Sequence, residues 1–88
     1  MTINQTYDKT IDAVYLKFSE NKISKTEEIG IGIMVDRDRN GFVIGIEVLD
    51  AVKRKFKFGI IETPSRNSQK MEISAGREKV NFKIPAYV

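Results

Sequence analysis

Apolar and polar side chains take turns along most of this chain with a repeat of two. A half-buried β-strand reads this way, because successive side chains leave its opposite faces. Val14, Leu16 and Phe18 alternate with Ala13, Tyr15 and Lys17, and Ile29, Ile31, Ile33 and Val35 alternate with Gly30, Gly32 and Met34. Phe42, Ile44, Ile46 and Val48 form a third run; Phe56, Phe58 and Ile60, then Met71, Ile73 and Ala75, then Val80, Phe82 and Ile84 form three more. Two weaker strands, Ile3 to Tyr7 and a polar one near Ile23 to Glu27, bring the expectation to six to eight.

Turn chemistry punctuates the runs. Asn40-Gly41 is a tight-turn pair, Ala75-Gly76-Arg77 closes a hairpin, and the polar, proline-containing stretch Thr63 to Gln69 reads as an exposed loop. Short connections favour antiparallel pairing, so the expected fold is mainly β, a small antiparallel meander or roll. Residues 49–57 fit either a short helix capped by Asp50 or a bulged strand crossing. Gly30, Gly32 and Gly45 fall inside strand runs, where glycine marks a bulge or the close approach of another backbone.

Composition narrows the chemistry. At 88 residues the chain is expected to form a single domain over 1–88 with a thin stability margin. It contains neither cysteine nor histidine, which removes disulfides, thiolate nucleophiles, serine triads and histidine metal sites. No cofactor is expected. No apolar run reaches membrane-helix length and the N-terminus lacks signal-peptide features, so a cytoplasmic protein without a membrane span is expected.

Charge is uneven. Residues 1–50 carry six Lys/Arg against nine Asp/Glu, a net of −3, while residues 51–88 carry nine against three, a net of +6. In so small a domain the two halves are expected to interleave and neutralise each other. The alternative is a nucleic-acid surface built on the basic half. Its candidates are Lys53, Arg54, Lys55 and Lys57, interleaved with Phe56 and Phe58, although alternation sends the phenylalanines inward.

Two carboxylate patterns bear on catalysis and metal binding. Asp36, Asp38, Asn40, Gly41 and Glu47 match the written spacing of a calcium loop, but strand-like flanks make Asp36 to Gly41 a hairpin turn and carry Glu47 away from it. Asp36, Asp38 and Asn40 remain only a weak cation candidate. Asp12, Glu28 and Glu47 are the carboxylates a hydrolase would use, yet nothing in their spacing brings them together.

The stretch Tyr7-Asp8, Asp12-Ala13-Val14-Tyr15, Thr26-Glu27-Glu28 and Gly45-Ile46-Glu47-Val48-Leu49-Asp50-Ala51 resembles the YuzE-like family of small prokaryotic proteins, a domain-of-unknown-function group. The resemblance covers about residues 7–51. It implies no activity, cofactor or catalytic residue. Members often neighbour small toxin-like proteins, which implies an antitoxin-like, partner-binding role. Val14 and Ile29-Gly30-Ile31 depart from the usual residues, and residues 52–88 form a basic β extension beyond the matched core. The expected protein is a non-enzymatic interaction module that self-associates, with a dimer foremost and a small protein as a further partner. Nucleic-acid binding and a carboxylate-based hydrolase are the alternatives.

Overall fold

The computed structural model describes residues 3–65 and 68–85. Eight strands form, in order β1 (Asn4–Asp8), β2 (Ala13–Lys17), β3 (Lys25–Gly30), β4 (Ile33–Arg37), β5 (Val43–Leu49), β6 (Lys57–Ser65), β7 (Ser68–Ala75) and β8 (Glu78–Pro85). They divide into a five-stranded antiparallel sheet ordered β1-β2-β5-β4-β3 and a three-stranded antiparallel sheet ordered β6-β7-β8. The larger sheet is more than a meander. β2 leaves the hairpin it makes with β1 and docks on β5, so the order 2-5-4-3 is a Greek key read in reverse.

One apolar core joins the two sheets. Leu16, Ile33, Ile46 and Val48 from the first meet Met71, Ile73, Ala75 and Ile84 from the second, all essentially shielded from water. Each large aliphatic side chain buried here stabilises the fold by roughly 1.5–3 kcal/mol. Phe18 and Phe82 reach across from the two sheets, with ring centroids 6.1 Å apart and planes tilted by 47°, an arrangement aromatic pairs favour.

Several expectations change in detail. The run Ile29 to Val35 is two strands, because Gly32 takes a left-handed φ of 68° and turns the chain between β3 and β4, leaving Ile31 exposed. A register shift between Glu28 and Gly30 is the bulge expected near these glycines. Of Gly30, Gly32 and Gly45, only Gly45 lies in a strand interior. Phe42 precedes its strand and is 49% exposed, since a second register shift at Asp36/Arg37 resets the pairing and buries both Val43 and Ile44.

Residues 49–57 form neither of the two expected structures. Leu49 ends β5, and the chain then makes a single turn closed by Arg54 N to Asp50 O (2.8 Å), Lys55 N to Val52 O (3.0 Å) and Phe56 N to Ala51 O (2.8 Å). Asp50 and Lys55, at φ 52° and 56°, are left-handed and stop a helix at either end. Phe56 therefore falls in this turn, just ahead of β6. Most of the stretch read as a loop, Thr63 to Gln69, belongs to strands, with β6 running to Ser65 and β7 starting at Ser68; Arg66 and Asn67 lie outside the described residues. The other turns stand as expected. Gly76, at φ 63°, lets Ala75 pair with Glu78, and Asp38 to Phe42 closes the β4–β5 hairpin.

Candidate functional site

The acidic and basic halves do not interleave. Residues 4–49 build the five-stranded sheet and residues 57–85 the three-stranded one, and the sheets meet through their apolar inner faces. Each half's charge is therefore turned outward on its own side of the molecule.

On the acidic side, cross-strand register sets out two rows. Glu28, Met34, Glu47, Tyr15 and Thr6 form one, and Thr26, Asp36, Gly45, Lys17 and Asn4 the other. The Tyr15 ring leans from the first row over Gly45, and its hydroxyl donates to Asp36 Oδ2 at 2.6 Å. Thr26 Oγ1 donates to Asp36 Oδ1, so both carboxylate oxygens are engaged. Burial, and then the bond to Asp36, push the Tyr15 phenol well above its ordinary range and keep it protonated. Gly45 thus admits a side chain of this chain's own, which is why glycine stands inside a strand there.

The family-pattern residues form a second network beside β1. Tyr7 donates to Asp12 Oδ1 at 2.8 Å, and Asp12 accepts the backbone N–H of Val52 (2.9 Å) and of Lys53 (3.2 Å). Asp12 caps the turn after β5 from 40 residues upstream, the role expected of Asp50. The Val52 N–H first, and then Tyr7 and Lys53, hold the Asp12 carboxyl below its usual value against a smaller opposing effect of burial. The Asp12 bond in turn raises the Tyr7 phenol. Asp8 accepts from Thr10 N, Glu27 from Arg37 Nε at 2.7 Å, and Glu28 from Gly32 N at 3.0 Å. Most of the pattern is therefore committed to holding turns and strand edges.

The hydrolase and cation candidates do not converge. Glu28 and Glu47 flank Met34 across two strand spacings, about 10 Å, while Asp12 sits in the turn before β2. Asp38 is 5% exposed, and its carboxylate is filled by Asn40 N, Phe42 N and Asn21 Nδ2. Burial raises the Asp38 carboxyl, but these donors together outweigh it and leave it lowered. Asn40 is exposed, and Glu47 lies opposite Met34, far from the turn. Among the described residues no three carboxylates gather as a metal site.

The lysine cluster also separates. Arg54 is a clamp: its guanidinium donates to the carbonyls of Leu49 (2.7 and 3.0 Å), Ile31 (2.8 Å) and Gly32 (3.2 Å). Its own carbonyl accepts Gly76 N at 2.7 Å, so it ties three turns together. Lys53 lies beside Asp12, and Lys55 lines a cavity with Tyr7 and Phe56. Lys57 lies on the outer face of the smaller sheet, where register adds Lys70, Lys79 and Lys83, with Glu72 between them and Glu62 opposite Lys70. Lys70 stands directly opposite Lys83, a pairing of like charges that costs stability. Sequence reading overlooked Lys70, Lys79 and Lys83, although their alternation with Met71, Val80 and Ile84 puts them on the solvent face.

β6 is the other feature of note. Among the described residues it pairs only with β7 and its second edge has no partner, and it exposes Ile60 (52%) and Ile61 (46%). Among the described residues no helix is long and apolar enough to cross a membrane. Residues 4–51, just over half of the chain, match a family model described as "Protein of unknown function (DUF2283)". No curated protein and no solved structure matches the chain.

Proposed function

From the premise that the chain belongs to this family of unknown function (DUF2283), which passes on no activity, we propose that it is a non-enzymatic interaction module that pairs with a second copy of itself through β6. The free β6 edge with Ile60 and Ile61 exposed carries this reading. An unpaired, apolar edge strand is a template for another strand. A two-fold axis at Gly59 sets Phe58 against Ile60 of the partner subunit and Ile60 against Phe58 of the partner subunit, so both inner faces continue into one core. Gly59, with open space where a side chain would lie, puts no bulk on the outer face at the axis. The resemblance to YuzE-like proteins supports an antitoxin-like use of such a module, with a small protein as the further partner. Light scattering coupled to gel filtration tests the pairing. Twice the 10.0 kDa chain mass is expected, with Ile60→Lys giving a folded monomer. A strict monomer at high concentration, or a dimer indifferent to Ile60→Lys, overturns it.

A second reading rests on the outer face of the smaller sheet, where Lys57, Lys70, Lys79 and Lys83 supply a basic surface. Pairing through β6 keeps like faces on one side and doubles that surface. It suits the phosphate backbone of a nucleic acid, with no aromatic side chain among the described residues of the face to read bases. Anisotropy of a labelled single-stranded oligonucleotide is expected to rise on binding, to fall steeply with salt, and to be lost in Lys70→Gln/Lys83→Gln. No binding at low salt ends this reading.

A further inference from the structure

Between the β1–β2 hairpin and the turn after β5 lies an open cavity of about 380 Å³, whose walls include Tyr7, Val14, Ala51, Val52, Lys55 and Phe56. That volume falls in the range of roughly 300–1,000 Å³ typical of small-molecule sites. Its walls divide sharply by chemistry. Val14, Ala51, Val52 and Phe56 supply an apolar surface, and Val52 and Tyr7 stand partly in solvent at 67% and 46% exposure.

Three polar side chains line the cavity, Gln5, Tyr7 and Lys55, and Gln5 brings no charge. The Tyr7 hydroxyl gives its proton to Asp12, and Asp12 is saturated by that hydroxyl and two backbone N–H groups. Among the described residues Lys55 is the one charged side chain lining the cavity, and the three ion pairs involve other side chains. Lys55 is also held at a φ of 56°, a conformation unfavourable for any residue with a β-carbon. The bonds of Lys55 N to Val52 O and Phe56 N to Ala51 O keep it there. Glycine would relieve the backbone but bring no ammonium group beside the apolar wall.

We infer that this cavity binds a small organic carboxylate, its apolar body against Val14, Ala51, Val52 and Phe56 and its charge on the Lys55 ammonium. A cation is disfavoured by Lys55, and a carboxylate gains an ion pair with it that a neutral ligand cannot make. One face of Phe56 is stacked on Phe58, with centroids 5.8 Å apart, so the ligand meets its other face or edge. The site adjoins β6 through the Phe56–Phe58 stack, so the titration is repeated on Ile60→Lys, where binding is expected to be unchanged whatever the oligomeric state.

Nitrogen-15 NMR titration with 3-phenylpropionate, with 3-phenylpropanol as the uncharged isostere, provides the test. Saturable shifts are expected at the amides of Tyr7, Val14, Val52 and Phe56, with a Kd on the order of a millimolar for a ligand of this size. The alcohol is expected to bind about fivefold more weakly or worse, and Lys55→Asn to weaken the acid by about fivefold. Asparagine tolerates the left-handed backbone, and a dispersed spectrum confirms that this variant folds. Absence of saturable shifts, shifts confined to other strands, or equal binding of acid and alcohol overturns the site as drawn. So does Lys55→Asn binding like the parent. An acetylated tripeptide ending in phenylalanine, titrated alongside, reassigns the ligand to a peptide terminus if it binds more tightly than the free acid.

Discussion

The phenol ring of Tyr15 occupies the space that a β-carbon on Gly45 would need, and from there it reaches across β5 to donate to Asp36 on β4. Two strands that are not neighbours, β2 and β4, are thereby tied over the one between them. The glycine and the tyrosine are a single device.

Gly45→Ala should accordingly destabilise the fold by about 1–3 kcal/mol, because the ring must move and Asp36 loses one of its two donors. Elsewhere in a strand the same change is neutral or favourable. Combining it with Tyr15→Ala should be markedly non-additive, the second change costing little once the first is present. Urea unfolding of the two single variants and the double variant measures this coupling; strict additivity would show that ring and glycine are unrelated.

Arg54→Ala should cost about 2 kcal/mol and lower the melting temperature by roughly 10 °C, since the β3–β4 turn and the end of β5 lose a shared charged donor. Arg54→Lys should recover little of this, because an ammonium cannot span the three carbonyls that the guanidinium reaches. Lys55→Ala should leave the melting temperature within a few degrees. Thermal unfolding followed by circular dichroism separates these cases, and equal loss at positions 54 and 55 would contradict the clamp.

Acidification should unfold the protein in a defined direction. Val52 N–H, Tyr7 and Lys53 lower the Asp12 carboxyl, Arg37 and Lys25 lower Glu27, and Asp38 is lowered by its turn donors despite burial. A carboxyl lowered in the folded state stabilises it above the unfolded value, about 4, and that stability is lost as pH falls through the folded value. Tyr15 and Tyr7 are raised, so their contribution is present below about 10 and lost as pH climbs through their folded values. With no histidine, stability should be nearly flat between pH 5 and 8. Melting temperatures across the pH range check this profile, and Asp12→Asn should make the acid limb shallower.

Lys83→Glu converts the like-charge pair with Lys70 into an attractive one and should raise stability by about 0.3–1 kcal/mol. If the basic face serves nucleic acid, the same change should abolish oligonucleotide binding. A variant that gains stability while losing binding is the expected signature of a surface kept for contact. Melting and anisotropy on one preparation give both numbers.

What the sequence determined by itself was the strand content, because the inside–outside alternation of side chains in an extended chain is a local property. Val14-Leu16-Phe18, Met71-Ile73-Ala75 and the turns at Asn40-Gly41 and Gly76 could be read without knowing any partner. The split of charge was legible too, as a difference between halves. Only the tertiary structure decided that each half makes its own sheet and turns its charge to its own side. It alone decided that Asp12, not Asp50, caps residues 51–53, that Arg54 serves three carbonyls, and that Tyr15 fills the place over Gly45. Apart from the bond of Arg54 to Leu49, those outcomes join residues 22 to 41 positions apart, and such partners are chosen by how the sheets register and pack, which no local spacing records.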